Sequence, residues 1–313
     1  MQTLAVVLEE PEKLGLSEVD LAPACDDDVV VDVTWSGVST GTERLLFTGK
    51  MPPFPGMGYP LVPGYEAVGV VRQAGSNSGR SAGDQVFVPG ARCYGKVHGL
   101  FGGAAAKIVV PGARTTVIRD DLGVNGTLLA LAATAYHALA MRDAVLPDLI
   151  VGHGVLGRLM ARLTTALGGG VPTVWELAPE RMATNYGYRV IHPDQDERRD
   201  YRSIYDVSGD SGIIDRAVSV LARNGEIVLA GFYSNPLSFA FPPAFMKEAR
   251  FRIAAEWKPQ DLEDVIQLIA SGRLPLDGLI THTCDALDAV SAYDTAFNDA
   301  GCLKMILDWR RCS

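Results

Sequence analysis

The residues whose types and spacing carry the clearest chemistry run from Pro147 to Glu176. Gly152-His153-Gly154-Val155-Leu156-Gly157 follows the run Asp148–Val151 and opens an amphipathic segment bearing Leu156, Leu159, Met160, Leu163 and Leu167. Val171–Trp175 then ends on Glu176. This is the G-x-G-x-x-G spacing of a dinucleotide-binding βαβ unit. Gly152 makes the tight turn, Gly154 lets backbone approach a pyrophosphate, and Gly157 lets the helix pack on the strand. The helix N-terminus offers free N–H groups and a partial positive charge to the phosphates. Glu176 stands where an acid takes the adenine ribose hydroxyls, which favours NAD over NADP because a carboxylate repels a 2′-phosphate. Arg181, just beyond, softens that preference. Cofactor contacts are expected from Gly152, His153, Gly154, Val155, Leu156, Gly157, Glu176 and Arg181. A βα turn with incidental glycines is the alternative, and it leaves the surrounding strand, helix and acid without a reason.

The elements that must position this turn alternate. A helical run over Leu128–Met141 leads into it, and strands are expected at 189–191, 204–207, 226–230 and 252–255. An amphipathic segment over 213–221 and a helix over 261–269, closed by Gly272, fill the gaps. Such alternation predicts an α/β fold with a doubly wound, parallel Rossmann sheet. The charged link 194–202 is short, so one crossover is reduced. Residues before 120 read differently, as short apolar runs punctuated by glycine, proline and aspartate, which is the pattern of strands joined by turns. Five prolines between Met51 and Gly64 make that stretch an irregular ordered loop. Its Met51, Phe54, Met57 and Tyr59 either line an apolar pocket or pack the loop down. The tail again reads as strand, at 279–283 and 304–307.

Composition narrows the function classes. The chain has 313 residues, 48% hydrophobic and 21% charged, with a net charge of −9. That length suits about two domains, and the negative charge gives no general attraction for nucleic acid or anionic lipid. Five scattered cysteines without a C-x-x-C pair argue against a disulfide framework and a sulfur-rich zinc site. No signal-peptide core opens the chain, and the longest apolar candidate, 128–141, is too short to span a bilayer. A cytoplasmic protein without stable membrane insertion is expected.

Four further stretches resemble one superfamily. Val38-Ser39-Thr40-Gly41-Thr42-Glu43, Pro63-Gly64-Tyr65-Glu66-Ala67-Val68-Gly69, Gly102–Lys107 and Thr134–Leu139 are similar to the G-I-C-G-T-D, G-H-E-x-x-G, G-G-F-A-E-Y and T-x-Y-x-A-L motifs of the medium-chain dehydrogenases/reductases. The resemblance implies a GroES-like catalytic domain over 1–127, a Rossmann NAD-binding domain over 128–256, and a return segment over 257–313 that completes the first. Thr40, Tyr65 and Ala130 stand where zinc members place metal ligands. A catalytic zinc needs about three nitrogen, sulfur or carboxylate ligands, so no metal is expected. Within the superfamily the run from Trp35 to Gly69, with Gly99–Ala105, resembles one narrow family, the bacteriochlorophyllide a dehydrogenases of photosynthetic bacteria. That resemblance implies NAD-dependent oxidation of a 3-(1-hydroxyethyl) group to 3-acetyl on a bacteriochlorophyllide, with transient membrane contact and a homodimer as further possibilities. A zinc-free quinone or enoyl reductase, or a nucleotide- or pigment-binding protein without chemistry, are the competing readings; the first usually prefers NADPH, against which Glu176 counts.

Without a metal, the alcohol proton needs an acceptor, and Thr40, Thr42, Tyr65 and Glu66 are the candidates at the metal positions. The resemblance makes Thr42 the counterpart of a first proton relay. Tyr65, with a reference pKa of about 10, needs a nearby cation to act as a base, whereas Glu66, at about 4.3, is ionised unless buried. Each has a bland alternative: the threonines cap a turn, Tyr65 fills the vacated volume, and Glu66 holds a basic residue. His137 and His282 read as structural and His192 as a turn residue, while His98 is within reach of substrate or its magnesium. Arg44, Lys50, Arg92 and Lys96 are the cations available to a substrate propionate.

Overall fold

The computed structural model describes residues 1–53, 55–183 and 187–312. The chain forms two compact units, Met1–Ala130 with Ile280–Ser313, and Leu131–Leu279. Phe54, grouped above with the proline-rich loop, lies outside the described residues.

In the second unit six parallel strands lie in the order Arg189–Ile191, Thr173–Trp175, Leu149–Val151, Tyr201–Asp206, Leu221–Leu229 and Arg250–Ile253. Numbered by sequence this is 3-2-1-4-5-6, the dinucleotide-binding order, whose direction reverses between Leu149–Val151 and Tyr201–Asp206. Ligands bind at the carboxyl ends of the strands at such a reversal. Helices Val155–Ala166, Ile213–Val220 and Phe241–Lys247 make three of the crossovers. The link after Arg189–Ile191 holds only the single turn Pro193–Gln195, the shortened crossover expected from its charge.

One boundary is corrected. The helix Pro259–Ala270 belongs with the nucleotide-binding unit, not with a return segment starting at 257. Two side chains hold it there: the Tyr136 hydroxyl donates to Asp264 at 3.0 Å, and His137 Nδ1 lies 2.8 Å from Asp261. Asp261 also accepts the Lys258 N–H at 2.6 Å and so caps the same helix. Capping an otherwise orphaned N–H and anchoring a histidine are thereby done by one carboxylate.

In the first unit, Asp28–Val38 is the central strand of a seven-stranded sheet. Ala67–Ala74 pairs along it with Ser36 opposite Ala67, and Met305–Asp308 pairs with Val38 opposite Met305. This double pairing delivers Glu66 and Lys304 to the end of the strand at Gly37. A second sheet runs Lys13–Asp20, Gln2–Glu10, Leu61–Val62, His98–Gly99. Met51 is buried in a cluster with Leu8, Leu46, Leu61 and Leu100, against which Met57 and Tyr59 pack. Those loop side chains therefore pack the loop down.

By length and composition the run Asp120–Ala140, 21 residues, is long and apolar enough to cross a membrane, longer than the 128–141 stretch read from sequence. It is not one regular helix. Asp120–Leu128 is of 3-10 type and breaks at Gly123 (φ 50°, ψ −134°), and Leu129–Ala140 alone is α-helical. Leu128, Leu129, Ala132, Ala133, Ala135 and Ala138 have no exposed surface, as in the core helix of a globular unit.

Candidate active site

The nucleotide-binding constellation lies at the strand reversal of the second unit. Gly152 has φ +103° and its N–H donates to the Trp175 carbonyl at 2.9 Å. A Cβ on Gly157 would meet the Gly152 carbonyl oxygen at 1.9 Å, so this position must be glycine for the helix to seat on the strand end. A Cβ on Gly154 would meet nothing within 4 Å. Gly154 is also the N-cap of Val155–Ala166 and offers no side chain to the helix N–H groups. An open, side-chain-free approach to an uncapped helix start is what a pyrophosphate requires. The residues fit a dinucleotide.

Glu176 sits at the end of the second strand, half-buried. It accepts the N–H groups of His153 at 3.0 Å, Leu177 at 2.7 Å and Ala178 at 2.9 Å. Those bonds fix its carboxylate beside the glycine turn, and each oxygen keeps lone-pair capacity for a ribose hydroxyl.

His153 corrects an expectation. Its side chain has no exposed surface, with Nδ1 2.5 Å from the Arg181 carbonyl and Nε2 2.9 Å from the Tyr188 hydroxyl. Burial pushes its pKa down to about 4, so the ring is neutral and structural. Only its backbone faces the turn. Arg181 contributes its carbonyl, which also accepts from Arg158 Nη2 at 3.1 Å. Arg158, the fourth residue of the helix and not anticipated, ties the helix start to the loop after the second strand.

A second constellation, of hydroxyls and buried charges, lies within the first unit. Thr40, Thr42 and Tyr65 are half-buried, while Ser39, Glu43, Glu66 and Lys304 are buried. The Ser39 and Tyr65 hydroxyls are 2.8 Å apart, and the Tyr65 ring meets Phe101 edge-on with centroids 5.3 Å apart. The Thr42 N–H points at Ser39 Oγ from 3.4 Å. Glu43 accepts the Ser39 N–H at 3.0 Å and the Tyr293 hydroxyl at 2.5 Å. Among the described residues Thr40 makes no side-chain hydrogen bond given by the structure, so it contributes volume and a hydroxyl only.

Glu66 is fully buried and forms an ion pair with Lys304, which is 2% exposed and donates also to the Val38 carbonyl at 3.2 Å. Gly37 makes room: a Cβ there would meet Glu66 Oε2 at 2.2 Å. Of the readings left open for Glu66, holding a basic residue is the one its geometry serves. Its other oxygen, Oε1, is buried without a partner among the described residues. Burial pushes the Glu66 carboxyl up, and the Lys304 ammonium pulls it back.

Among the described residues Lys304 is taken by Glu66, and no cation acts on Tyr65. Burial, then the neighbouring Glu66 carboxylate, raises its pKa far above the ordinary phenol value, against the weaker pull of the Ser39 and Thr42 hydroxyls. Tyr65 therefore keeps its proton at neutral pH, which suits a hydrogen-bond donor and not a base. Glu43, also sealed, is pushed up to about 7 by burial, opposed by its bonds to Tyr293 and the Ser39 N–H. Ser39, Glu43, Tyr293 and Lys304 were not anticipated as site residues. The one local signal was Lys304 itself, a lone charge entering an apolar strand.

Thr40, Tyr65 and Ala130, at the expected metal positions, supply no nitrogen, thiolate or carboxylate donor, and among the described residues no group of three or more His, Cys, Asp or Glu side chains is arranged to hold a metal ion. His98 is exposed on its strand, its ring against Gly58.

Comparison with known proteins extends the geometry. Residues 25–120 match the alcohol dehydrogenase GroES-like domain. The chain is 58% identical to the 2-desacetyl-2-hydroxyethyl bacteriochlorophyllide A dehydrogenase of Cereibacter sphaeroides, over 99% of both chains. It is 55% identical to the protein of the same name from Rhodobacter capsulatus, again over 99% of both. Among solved structures, an alcohol dehydrogenase from Escherichia coli CFT073 complexed with NADH aligns with a TM-score of 0.83 at 21% identity, covering 98% of this chain and 99% of that one. The 2R,3R-butanediol dehydrogenase of Bacillus subtilis aligns with a TM-score of 0.84 at 18% identity and the same coverage. These two show the fold.

Proposed function

The chain belongs to the 2-desacetyl-2-hydroxyethyl bacteriochlorophyllide A dehydrogenase family of the alcohol dehydrogenases with a GroES-like domain, and from that premise we propose how its residues carry out the reaction. It is an NAD-dependent oxidoreductase that converts the hydroxyethyl group of a bacteriochlorophyllide to acetyl. The observation that carries this reading is full-length identity above half with two dehydrogenases of that name, together with an intact glycine turn. Glu176 and the open backbone at Gly154 hold the dinucleotide, Glu176 taking ribose hydroxyls and the helix start taking the pyrophosphate. Bound there, the nicotinamide supplies the hydride acceptor.

The remaining work is to stabilise the negative charge that builds on the substrate oxygen as its proton leaves, ahead of the hydride. A metal does this as a Lewis acid; here a hydrogen bond from the Tyr65 phenol, aimed where charge develops, takes that place. The Thr42 hydroxyl hands the alcohol proton towards solvent. The carbinol carbon helps itself, because the conjugated macrocycle beside it shares the positive charge that develops there. Thr40 shapes the floor of the vacated metal volume, and Glu66 keeps Lys304 in place beneath it.

The test is to incubate the protein with NAD and 3-hydroxyethyl bacteriochlorophyllide, following NADH and the pigment spectrum together. Coupled formation of NADH and acetyl pigment is expected, slower with NADP, with Glu176→Ala narrowing the gap between the two cofactors. Stoichiometric zinc in active protein would overturn the account of the oxygen's stabilisation. No change in either signal would overturn the activity.

The chain also pairs, in our reading, as a homodimer along Arg250–Ile253, the edge strand of the parallel sheet. Its Ile253 is 73% exposed, Phe251 stacks on Phe239 with centroids 4.9 Å apart, and the adjacent helix exposes Phe241, Phe245 and Met246. An unprotected apolar edge of this kind is covered in stable proteins, and a two-fold partner covers it with the same surface. Sedimentation should give twice the chain mass, and Ile253→Asp should halve it; a wild-type monomer at micromolar concentration refutes the pairing.

A further inference from the structure

Every hydrogen-bonding atom of Ser39 is engaged. Its N–H goes to Glu43 at 3.0 Å, its carbonyl accepts the Glu43 N–H at 3.0 Å, and its hydroxyl meets both the Thr42 N–H and Tyr65. Only one proton lies on that hydroxyl. The Thr42 N–H can only donate, so it occupies a lone pair of Ser39 Oγ. Tyr65 is then the one hydrogen-bond partner given for the Ser39 proton among the described residues. With Ser39 donating, the Tyr65 oxygen is an acceptor towards Ser39, and its own proton is left for another acceptor, the neighbouring Thr42 hydroxyl or the substrate oxygen. The opposite polarity would spend the Tyr65 proton on Ser39 and give the serine proton no acceptor among the described residues. Glu43 and Glu66 reinforce the arrangement, because two buried carboxyl groups near Tyr65 oppose loss of its proton.

We propose that Ser39 is the positioning residue of this reaction: the ordered chain Thr42 N–H to Ser39 Oγ–H to Tyr65 presents the Tyr65 O–H to the substrate oxygen. The inference rests on the dehydrogenase reading above and deepens it, since it names the residue that makes Tyr65 a donor. A donor of fixed direction favours the oxygen as negative charge grows on it, and it cost its reorganisation during folding, not during reaction. It also defines the oxygen that fits. An alkoxide or ketone oxygen accepts from Tyr65, whereas a substrate group that can only donate at this point would face a second donor.

The bland alternative is that Ser39 only braces the turn before the helix Thr42–Phe47, whose N-cap is Gly41, and supports Glu43. Ser39→Gly keeps the backbone bonds to Glu43 and the Gly41 cap and removes only the hydroxyl. The first readout is the carbonyl stretch of 3-acetyl bacteriochlorophyllide bound to the NAD-free protein, by resonance Raman spectroscopy. In wild type it should fall below that of the free pigment in an aprotic solvent. Ser39→Gly and Tyr65→Phe should abolish the shift, Ser39→Thr should keep it, and Thr42→Val should leave it in place. The second readout is kinetic: Ser39→Gly should lower kcat about ten-fold with KM for pigment and NAD within about two-fold, and Ser39→Thr should restore it.

Thermal melting of each variant identifies any loss caused by misfolding, and the carbonyl stretch of the folded fraction decides such a case. A wild type that is inert towards the pigment sinks the activity reading. An active wild type whose Ser39→Gly variant keeps both the shift and kcat sinks this inference alone. So does a shift that depends on Thr42 instead of Ser39, which would make Thr42 the donor.

Discussion

Lys304→Met should destabilise the GroES-like unit by about 3–5 kcal/mol, the cost typical of removing one partner from a buried ion pair. Domains are held together by only about 5–15 kcal/mol, so most of the margin disappears. The cause is specific. Glu66 is 0% exposed, its Oε1 has no partner among the described residues, and the Gly37 backbone packs closely enough on Glu66 and Lys304 that a Cβ there would meet both. The variant should answer by protonating Glu66. Burial alone raises that carboxyl, and removal of Lys304 takes away the group that pulled it down. The sign follows from linkage: a carboxyl whose folded pKa exceeds its unfolded value contributes stability below the unfolded value, and that stability is lost as pH rises through the folded one. Lys304→Met should therefore be most stable in mild acid and weaken towards neutral pH. Adding Glu66→Gln should recover much of the loss at neutral pH and flatten its pH dependence. Urea titrations at several pH values decide it; a Lys304→Met protein within about 1 kcal/mol of wild type at neutral pH would show that the pair is not what holds Glu66 in place.

That pair also marks where the sequence stops being legible. The nucleotide-binding unit was readable because its information is local: glycine turn, helix and acid lie within 30 residues, and strand periodicity reports burial directly. Even the shortened crossover was visible as a charged, helix-poor link. Glu66 and Lys304 are 238 residues apart and meet only because two different strands pair with Asp28–Val38. No periodicity encodes that meeting. The same holds for the misplaced boundary at 257, since Asp261 reveals its allegiance only through His137, 124 residues away. His153 misled for a related reason. Its slot in the turn says that it is near cofactor, while its burial is set by Tyr188, 35 residues on. Ser39 sits at a position that the resembling motif fills with isoleucine, so only the 2.8 Å approach of Tyr65 draws attention to it. The motif resemblance sets hydroxyls, Thr40 and Tyr65, at two of the expected metal positions; which hydroxyl lies against which is a property of the fold.

The glycine turn yields the other large effect, and two of its glycines should fail in different ways. Gly157→Ala should raise the NADH dissociation constant by at least about a hundredfold, roughly 2.7 kcal/mol, and lower the melting temperature as well. Its new Cβ would lie 1.9 Å from the Gly152 oxygen and 2.9 Å from the Gly152 carbon, so the helix must lift from the strand end. Gly152 cannot yield cheaply, because at φ +103° it already occupies backbone space open mainly to glycine. Gly154→Ala meets no protein atom within 4 Å, so the free protein should melt as wild type does. Any affinity it loses must come from the ligand, whose pyrophosphate needs that volume. NADH fluorescence titration beside thermal melting separates the two. A loss of binding at Gly154→Ala with unchanged melting locates the pyrophosphate at this backbone. Undiminished binding there would mean that the dinucleotide enters elsewhere, and the assignment of Gly154 to the phosphates would fall while the packing argument at Gly157 stood.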